Sequence, residues 1–498
     1  METAMTSAQV TPIDLDNSFA RELAELYVDS QPTPVPAPEL VAFNGELAAE
    51  LGLDSTALSS PDGIAMLAGN LVPTGVSPIA MAYAGHQFGS YSPSLGDGRA
   101  LLLGEIVDPD GHRLDLHLKG SGRTSFARGG DGKPALGPML REFLIAEAMY
   151  ALGIPTTRAL AVVTTGEHIA REQPVPGAIL ARVASSHLRV GTFEYAARLG
   201  DPTVLQRLAD YTIDRHYGSV ADSDDRYLAF LEEVIEVQAE LVARWMLVGF
   251  IHGVMNTDNM AISGQGIDYG PCAFMDRYDP ATVFSSIDHA GRYAYGNQPM
   301  IAQWNLARLA ETLIPLINPD RDTAIAAVTE KLEAFTDRYR QHWAAGMTAK
   351  LGLTGVIDNN EPILDSFLDL LQAQRVDYTT SFRALADYLR GNEEALTSLF
   401  DDRAQLEEWT SAWQAHLVDD GIDHEVAADA MDRLNPIYVP RNHLVEQALA
   451  AAETDDLEPF RELLDVVTHP FKERDGLERF AEPAPVDFDS SYQTFCGT

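Results

Sequence analysis

HGVMNTDN, residues 252–259, followed by DYG at 268–270, is the stretch that decides how this chain folds. His252 and Asn259 lie seven residues apart, and Asp268 follows on a second polar loop. An amide oxygen and a carboxylate reaching one point from two loops are hard oxygen donors of the kind Mg2+ takes. Asn259 and Asp268 are therefore the candidate metal ligands. Two residues after the histidine, where a catalytic base would stand, the chain has Val254, which cannot accept a proton. The nearest carboxylate is Asp258, beside Asn259.

The spacing of His252, Asn259 and the aspartate-aromatic-glycine tripeptide is that of a protein kinase catalytic loop and its metal loop. Working back from it, the upstream elements come in the order that phosphoryl-transfer chemistry needs. Gly89, Gly96 and Gly98 lie in a glycine-rich stretch that lets backbone approach phosphates. RALLLGEIV (99–107) and RLDLHLKG (113–120) read as two strands joined by the DPDG turn at 108–111. In the second, Leu114, Leu116 and Leu118 alternate with Asp115, His117 and Lys119, the period of a half-buried strand. That reading turns His117 toward solvent or the glycine loop and leaves Lys119 as the phosphate cation. A helix over 138–152, closed by Gly153, carries Glu142, which can pair with Lys119.

Further on, GAILARVASSH (177–187) reads as a strand and 229–249 as a long apolar helix. Beyond about residue 300 the pattern is amphipathic helices, such as WNLARLAETLIPLI and EPILDSFLDLLQAQ. QPTPVPAP at 31–38 is an extended connector, and the proline-rich, polar last twenty residues are expected to pack loosely. The expected fold class is α+β: a bilobal protein-kinase-like fold with a small β-rich N-lobe, a helical C-lobe and a helical C-terminal extension. The expected parts are an N-terminal extension (1–78), the N-lobe (79–176), the C-lobe (177–310) and a helical C-terminal region (311–498).

Composition narrows the function. The 498 residues carry a net charge of −39, which repels a phosphate backbone and argues against nucleic acid as a partner. The surplus is uneven: residues 91–200 hold 12 Lys+Arg against 11 Asp+Glu, a near-neutral island where an anion can bind. Two cysteines and no CxxC pair exclude a disulfide framework and structural zinc, and fit a reducing compartment. No run of about 18 apolar residues marks a membrane span, and the N-terminus lacks a basic start and apolar stretch. The expectation is a cytoplasmic monomer without membrane association. GGDGKP at 129–134 is not a phosphate-binding P-loop, because Ala127 and Pro134 break the pattern.

Four segments carry a resemblance to a known family: AYAGHQFGSYSPSLGDGRALLLGEI, LHLKGSGRTSFARGGDGKPALGPMLREFLIAEAM, HGVMNTDNM with DYGP, and NPIYVPRNHL. They resemble the selenoprotein O family, protein adenylyltransferases with a pseudokinase fold. The resemblance is strong over about residues 80–310 and thinner beyond. It implies ATP bound in reversed orientation and AMP transferred to protein hydroxyls, with Mg2+ or Mn2+ and release of pyrophosphate. Carried onto matching positions, Gly96, Gly98 and Arg99 contact nucleotide, as do Asp131 and Gly132 in a further loop. Lys119 is the strand lysine and Glu142 its partner. Arg182 and Arg189 reach the phosphates, Asp258 is the base, and Asn259 and Asp268 hold metal. The resemblance also implies a redox role for Cys496 near the end, which in bacterial members pairs with a cysteine beyond the DYG loop. The position aligned with that partner lies around Phe284, and the other cysteine here is Cys272, which reads either as a redox partner or as a small core residue.

Two other functions stay open at this level. A kinase transferring the γ-phosphate with Asp258 as its base is opposed by Val254. A non-catalytic ATP-binding scaffold is opposed by the retention of Lys119, Asn259 and Asp268. Asp268→Ala is expected to abolish metal-dependent transfer and leave the fold intact, since it alters a polar loop.

Overall fold

The computed structural model describes residues 13–171, 173–354 and 357–495. Eleven strands are formed among them: β1 (Tyr27–Asp29), β2 (Glu39–Phe43), β3 (Ile79–Met81), β4 (Gly85–Gln87), β5 (Ser90–Ser92), β6 (Ala100–Val107), β7 (Arg113–Lys119), β8 (Arg158–Ala170), β9 (Pro174–Ala184), β10 (Phe250–Ile251) and β11 (Ala273–Phe274). Seven make one antiparallel sheet in the order β1-β3-β6-β7-β9-β8-β2. Residues 1–78 thus supply the two outermost strands, β1 and β2. The expected hairpin is β6–β7, turned at Asp108, whose carboxylate accepts from the backbone of Asp110 and His112.

Both faces of this sheet are covered. On one, Leu103, Leu116, Leu118, Ile179 and Val183 pack against α2 (Gly45–Glu50), α3 (Ser55–Leu58) and α4 (Pro61–Leu67), which follow a short α1 (Ser18–Glu22). On the other, Leu102, Val162 and Leu180 meet Leu140 and Leu144 of α5 (Leu136–Ala151). Asp115, His117 and Lys119 of β7 therefore do not face solvent. Of the two readings of His117, the glycine loop is the one the structure shows: the side chain is fully buried and bonds Asp97 between Gly96 and Gly98, because the sheet's second face is closed by α5 and by the helical half below it.

The helical half begins with α6 (Val190–Arg198), α7 (Pro202–His216) and α8 (Arg226–Leu247). Helix α8 buries Phe230, Leu231, Val234, Ile235 and Val242, each contributing about 1.5–3 kcal/mol by leaving water. It packs on α9 (Gln298–Ile317) and on the helix Phe335–Lys350. The chain is thus a β-rich N-terminal region joined to a helical C-terminal region, an α+β kinase-like bilobal arrangement with further helices after α9. Among the described residues no helix is long and apolar enough to cross a membrane.

Two segments of the last third of the chain tie back to the region around β10, β11 and α5. In NPIYVPRNHL, Arg441 is buried and bonds Asp276 at 2.6 Å and Asp377 at 2.7 Å, while Asn442 donates to the Phe274 carbonyl at 2.7 Å. Residues 492–494 do not pack loosely. Thr494 bonds through its backbone to Phe284 and Ser286, and its hydroxyl donates to the Pro271 carbonyl at 2.6 Å. The Tyr492 hydroxyl accepts from Arg141 of α5 and donates to Glu446. Backbone pairing and polar anchors hold this segment, which composition alone does not reveal.

Candidate active site

The end of β7 delivers Lys119 and the second turn of α5 delivers Glu142. Lys119 Nζ lies 2.5 Å from Glu142 Oε2 and 2.6 Å from Asp268 Oδ1. Arg182, which pairs with His117 across β7 and β9, donates through Nη1 to Glu142 Oε1 at 2.9 Å and Asp268 Oδ1 at 2.8 Å. Arg189, at the start of α6, donates to Asp268 Oδ2 and to the Asp258 carbonyl, each at 2.7 Å. Asp268 takes a left-handed backbone conformation, with φ 61°. Burial works to raise its carboxyl, but the Lys119, Arg182 and Arg189 charges prevail and hold it well below the usual carboxylate range.

The catalytic loop leaves β10, which pairs with β11 on the far side of the DYG turn. His252 is buried and its Nε2 donates to the Ile267 carbonyl, joining the two loops as a packing residue. Val254 is buried and apolar; its carbonyl accepts from Asn259 Nδ2 at 2.9 Å, which leaves the Asn259 amide oxygen to act as a ligand. Asp258 Oδ2 accepts from Gln87 Nε2 at 3.2 Å, while Oδ1 has no partner among the described residues. Burial pushes the Asp258 carboxyl up to about 6.

A hairpin of β4 and β5 covers this loop. The His86 backbone donates to Thr257 Oγ1 at 2.7 Å, Thr257 donates to Glu194 at 2.6 Å, and the Phe88 backbone donates to Asn256 at 3.0 Å. Gly85 is required here, since a Cβ on it would stand 2.4 Å from Asp258 Oδ1.

These groups line one cleft of roughly 620 Å3. Gly96, Gly98, Arg99, Lys119, Asp131, Gly132, Glu142, Arg182, Arg189, Asp258, Asn259 and Asp268 all border it. Gly96 (φ 67°) and Gly98 pack directly on Phe126 and Ala127, so the two glycine loops form one wall. Asp131 reaches across that wall to Arg171 at 2.9 Å, which holds its carboxyl below the ordinary range. Cys272 does not line the cleft. It is buried, its Sγ donates to the Tyr269 carbonyl, and burial pushes the thiol up to about 12. Cys496 lies outside the described residues.

A family model described as "Protein adenylyltransferase SelO" matches residues 10–468. The chain belongs to the SelO family. Among curated relatives it is 59% identical over 490 residues to a protein nucleotidyltransferase YdiU of Mycobacterium sp. (strain KMS), covering 98% of this chain and 100% of that one. It is 56% identical over 500 residues to the corresponding protein of Mycolicibacterium paratuberculosis (99% and 100% covered) and 57% over 484 residues to that of Cereibacter sphaeroides strain ATCC 17029 (97% and 99%). As a SelO member it is a nucleotidyltransferase. The SelO cleft also contains residues that sequence reasoning did not single out as site residues: Tyr83, Gln87, His117, Arg128, Arg171 and Asn256. Arg128 and Arg171 were visible as members of the basic island. Tyr83 and Gln87 lie in the AYAGHQF segment that carries the family resemblance, but nothing in its spacing marks them individually; the fold brings them over the 252–259 loop.

Proposed function

We propose that this SelO-family chain transfers AMP from ATP to serine, threonine or tyrosine hydroxyls of other proteins, releasing pyrophosphate. The observation that carries the reading is the pairing of an inert Val254 with a buried Asp258 whose Oδ1 has no partner among the described residues. Asp258 takes the proton from the acceptor hydroxyl, and that oxygen attacks the α-phosphorus. The bond to the bridging oxygen breaks, and pyrophosphate carries the charge away. Lys119, Arg182 and Arg189 balance charge on the α-phosphoryl and on the leaving group. Glu142 keeps Lys119 directed into the cleft, while Gly96, Gly98, Arg99, Asp131 and Gly132 border the nucleotide.

The donor set fits a hard divalent cation: the Asn259 amide oxygen is not engaged by Val254, and the Asp268 carboxylate is ionised. Asn259 and Asp268 would hold Mg2+ or Mn2+, which supplies charge neutralisation on the phosphates. A division of the chain near residues 78, 176 and 310, and a cytoplasmic location consistent with two cysteines, belong to the same reading.

The test is paired labelling: purified protein with Mg2+ or Mn2+ and ATP labelled on the α- or the γ-phosphate, beside Asp258→Asn. Label entering protein from the α position, and lost in the variant, is the expected result. Label from the γ position only would make the chain a kinase.

A further inference from the structure

At the inner wall of the cleft, two buried histidines, His117 and His187, stand on the far edge of Arg182. His117 and His187 stack with ring centroids 4.2 Å apart and an interplanar angle of 21°. Arg182 Nη2 lies 3.3 Å from His117 Nδ1, and Arg182 Nε lies 3.2 Å from His187 Nε2. A guanidinium only donates, so both of these ring nitrogens must be unprotonated acceptors. The opposite nitrogens then carry the protons: His117 Nε2–H donates to Asp97 at 3.1 Å and His187 Nδ1–H to Asp115 at 3.0 Å. Each imidazole is fixed as a single neutral tautomer by a carboxylate behind it. Burial is the main reason both sit below the ordinary histidine range, in keeping with neutral rings.

The two carboxylates are anchored in turn. Asp97 Oδ2 accepts from the Met81 backbone, and Asp115 accepts from the His187 backbone and from Arg215 at 2.6 Å. The chain of bonds therefore runs from the sheet, through two imidazoles, to the Nε and Nη2 edge of Arg182. The Nη1 corner is left to Glu142, Asp268 and the cleft.

We infer that His117 and His187 are positioning residues for adenylyl transfer, holding the Arg182 guanidinium in plane so that its Nη1 corner, beside Glu142 and Asp268, addresses the triphosphate. This rests on reading Arg182 as a phosphate contact. An arginine held only by Asp268 and Glu142 is free to turn when those carboxylates take other partners; one held from behind by two neutral acceptors is not.

The experiment exploits the different nitrogens used. An asparagine amide occupies the place of histidine Nδ1, and a glutamine amide that of Nε2. His187→Gln keeps an acceptor for Arg182, whereas His187→Asn keeps only the Asp115 side. At position 117 the order reverses: His117→Asn keeps the acceptor and His117→Gln does not. Steady-state AMP transfer with varied ATP should therefore show a crossed pattern. The variant lacking the acceptor should lose about tenfold in kcat/KM for ATP at each site, the scale of one charge-assisted hydrogen bond. The partner variant should stay within about threefold of the parent, with melting temperatures alike within each pair. In an Arg182→Met background the difference within each pair should vanish. The same preference at both positions, equal losses within a pair, losses that follow melting temperature, or differences that persist without Arg182 would each overturn the assignment. Undiminished transfer by Arg182→Met itself would instead overturn the phosphate role of that arginine, and with it this inference.

Discussion

Of the side chains in the cleft, Asp258 and Asp268 show how environment assigns opposite tasks to one residue type. Burial of Asp258 outweighs the Arg189 charge and the Gln87 hydrogen bond, and its carboxyl rises to about 6; Asp268 is buried against three cations and falls. As the proposed base, Asp258 must be ionised, so kcat should climb with pH through about 6 and level off above it. Asp258→Asn should remove that limb and lower transfer by roughly 10^2–10^4, measured with α-labelled ATP. The linkage runs the other way for stability. A carboxyl raised in the folded state favours folding while protonated, and that contribution is lost as pH climbs through about 6. Asp258→Asn should therefore melt higher than the parent at pH 8, with the gap closing toward pH 4. Asp268→Ala corrects the expectation drawn from sequence. It leaves Lys119, Arg182 and Arg189 without their shared counter-charge, so the variant should lose stability as well as activity, on the order of 3–5 kcal/mol by chemical denaturation.

Among the elements, the β4–β5 hairpin has the most exacting fit. Gly85→Ala places a methyl against Asp258 Oδ1 and against Leu95. The variant should fold, since the hairpin lies outside the main sheet. It should lose at least about tenfold in transfer, because off-place catalytic groups forfeit orientation; activity beside a melting curve checks both. The elements also show where sequence reading succeeds. The β6–β7 hairpin and the lysine-bearing strand were legible because turn chemistry and alternation are local. The face of β7 was only half resolved for the same reason, with solvent and the glycine loop both left open for His117. Period-2 alternation says that Asp115, His117 and Lys119 share a side, but not that this side is a buried polar layer against Arg182 and His187. Which side is wet depends on packing by α5 and the helical half, which no local period records.

The charge surplus belongs to the whole molecule. With a net charge of −39, mutual repulsion opposes compaction, and added salt screens it over about 8–10 Å at 0.1–0.15 M. Melting temperature should rise from low salt to about 0.15 M NaCl, followed by calorimetry. At this scale the candidate site was legible as an ordered set of motifs, since Gly96 through Asp268 do converge on one cleft. The Tyr492 and Thr494 contacts were not legible, being a few polar bonds and a short backbone pairing between distant segments. They have a practical side. Tyr492 bonds Arg141, the neighbour of Glu142, and Thr494 bonds the carbonyl of Pro271, next to the DYG turn. An affinity tag or a protease cut placed beside Thr494 should therefore be felt at the DYG turn and at α5, at the centre of the enzyme.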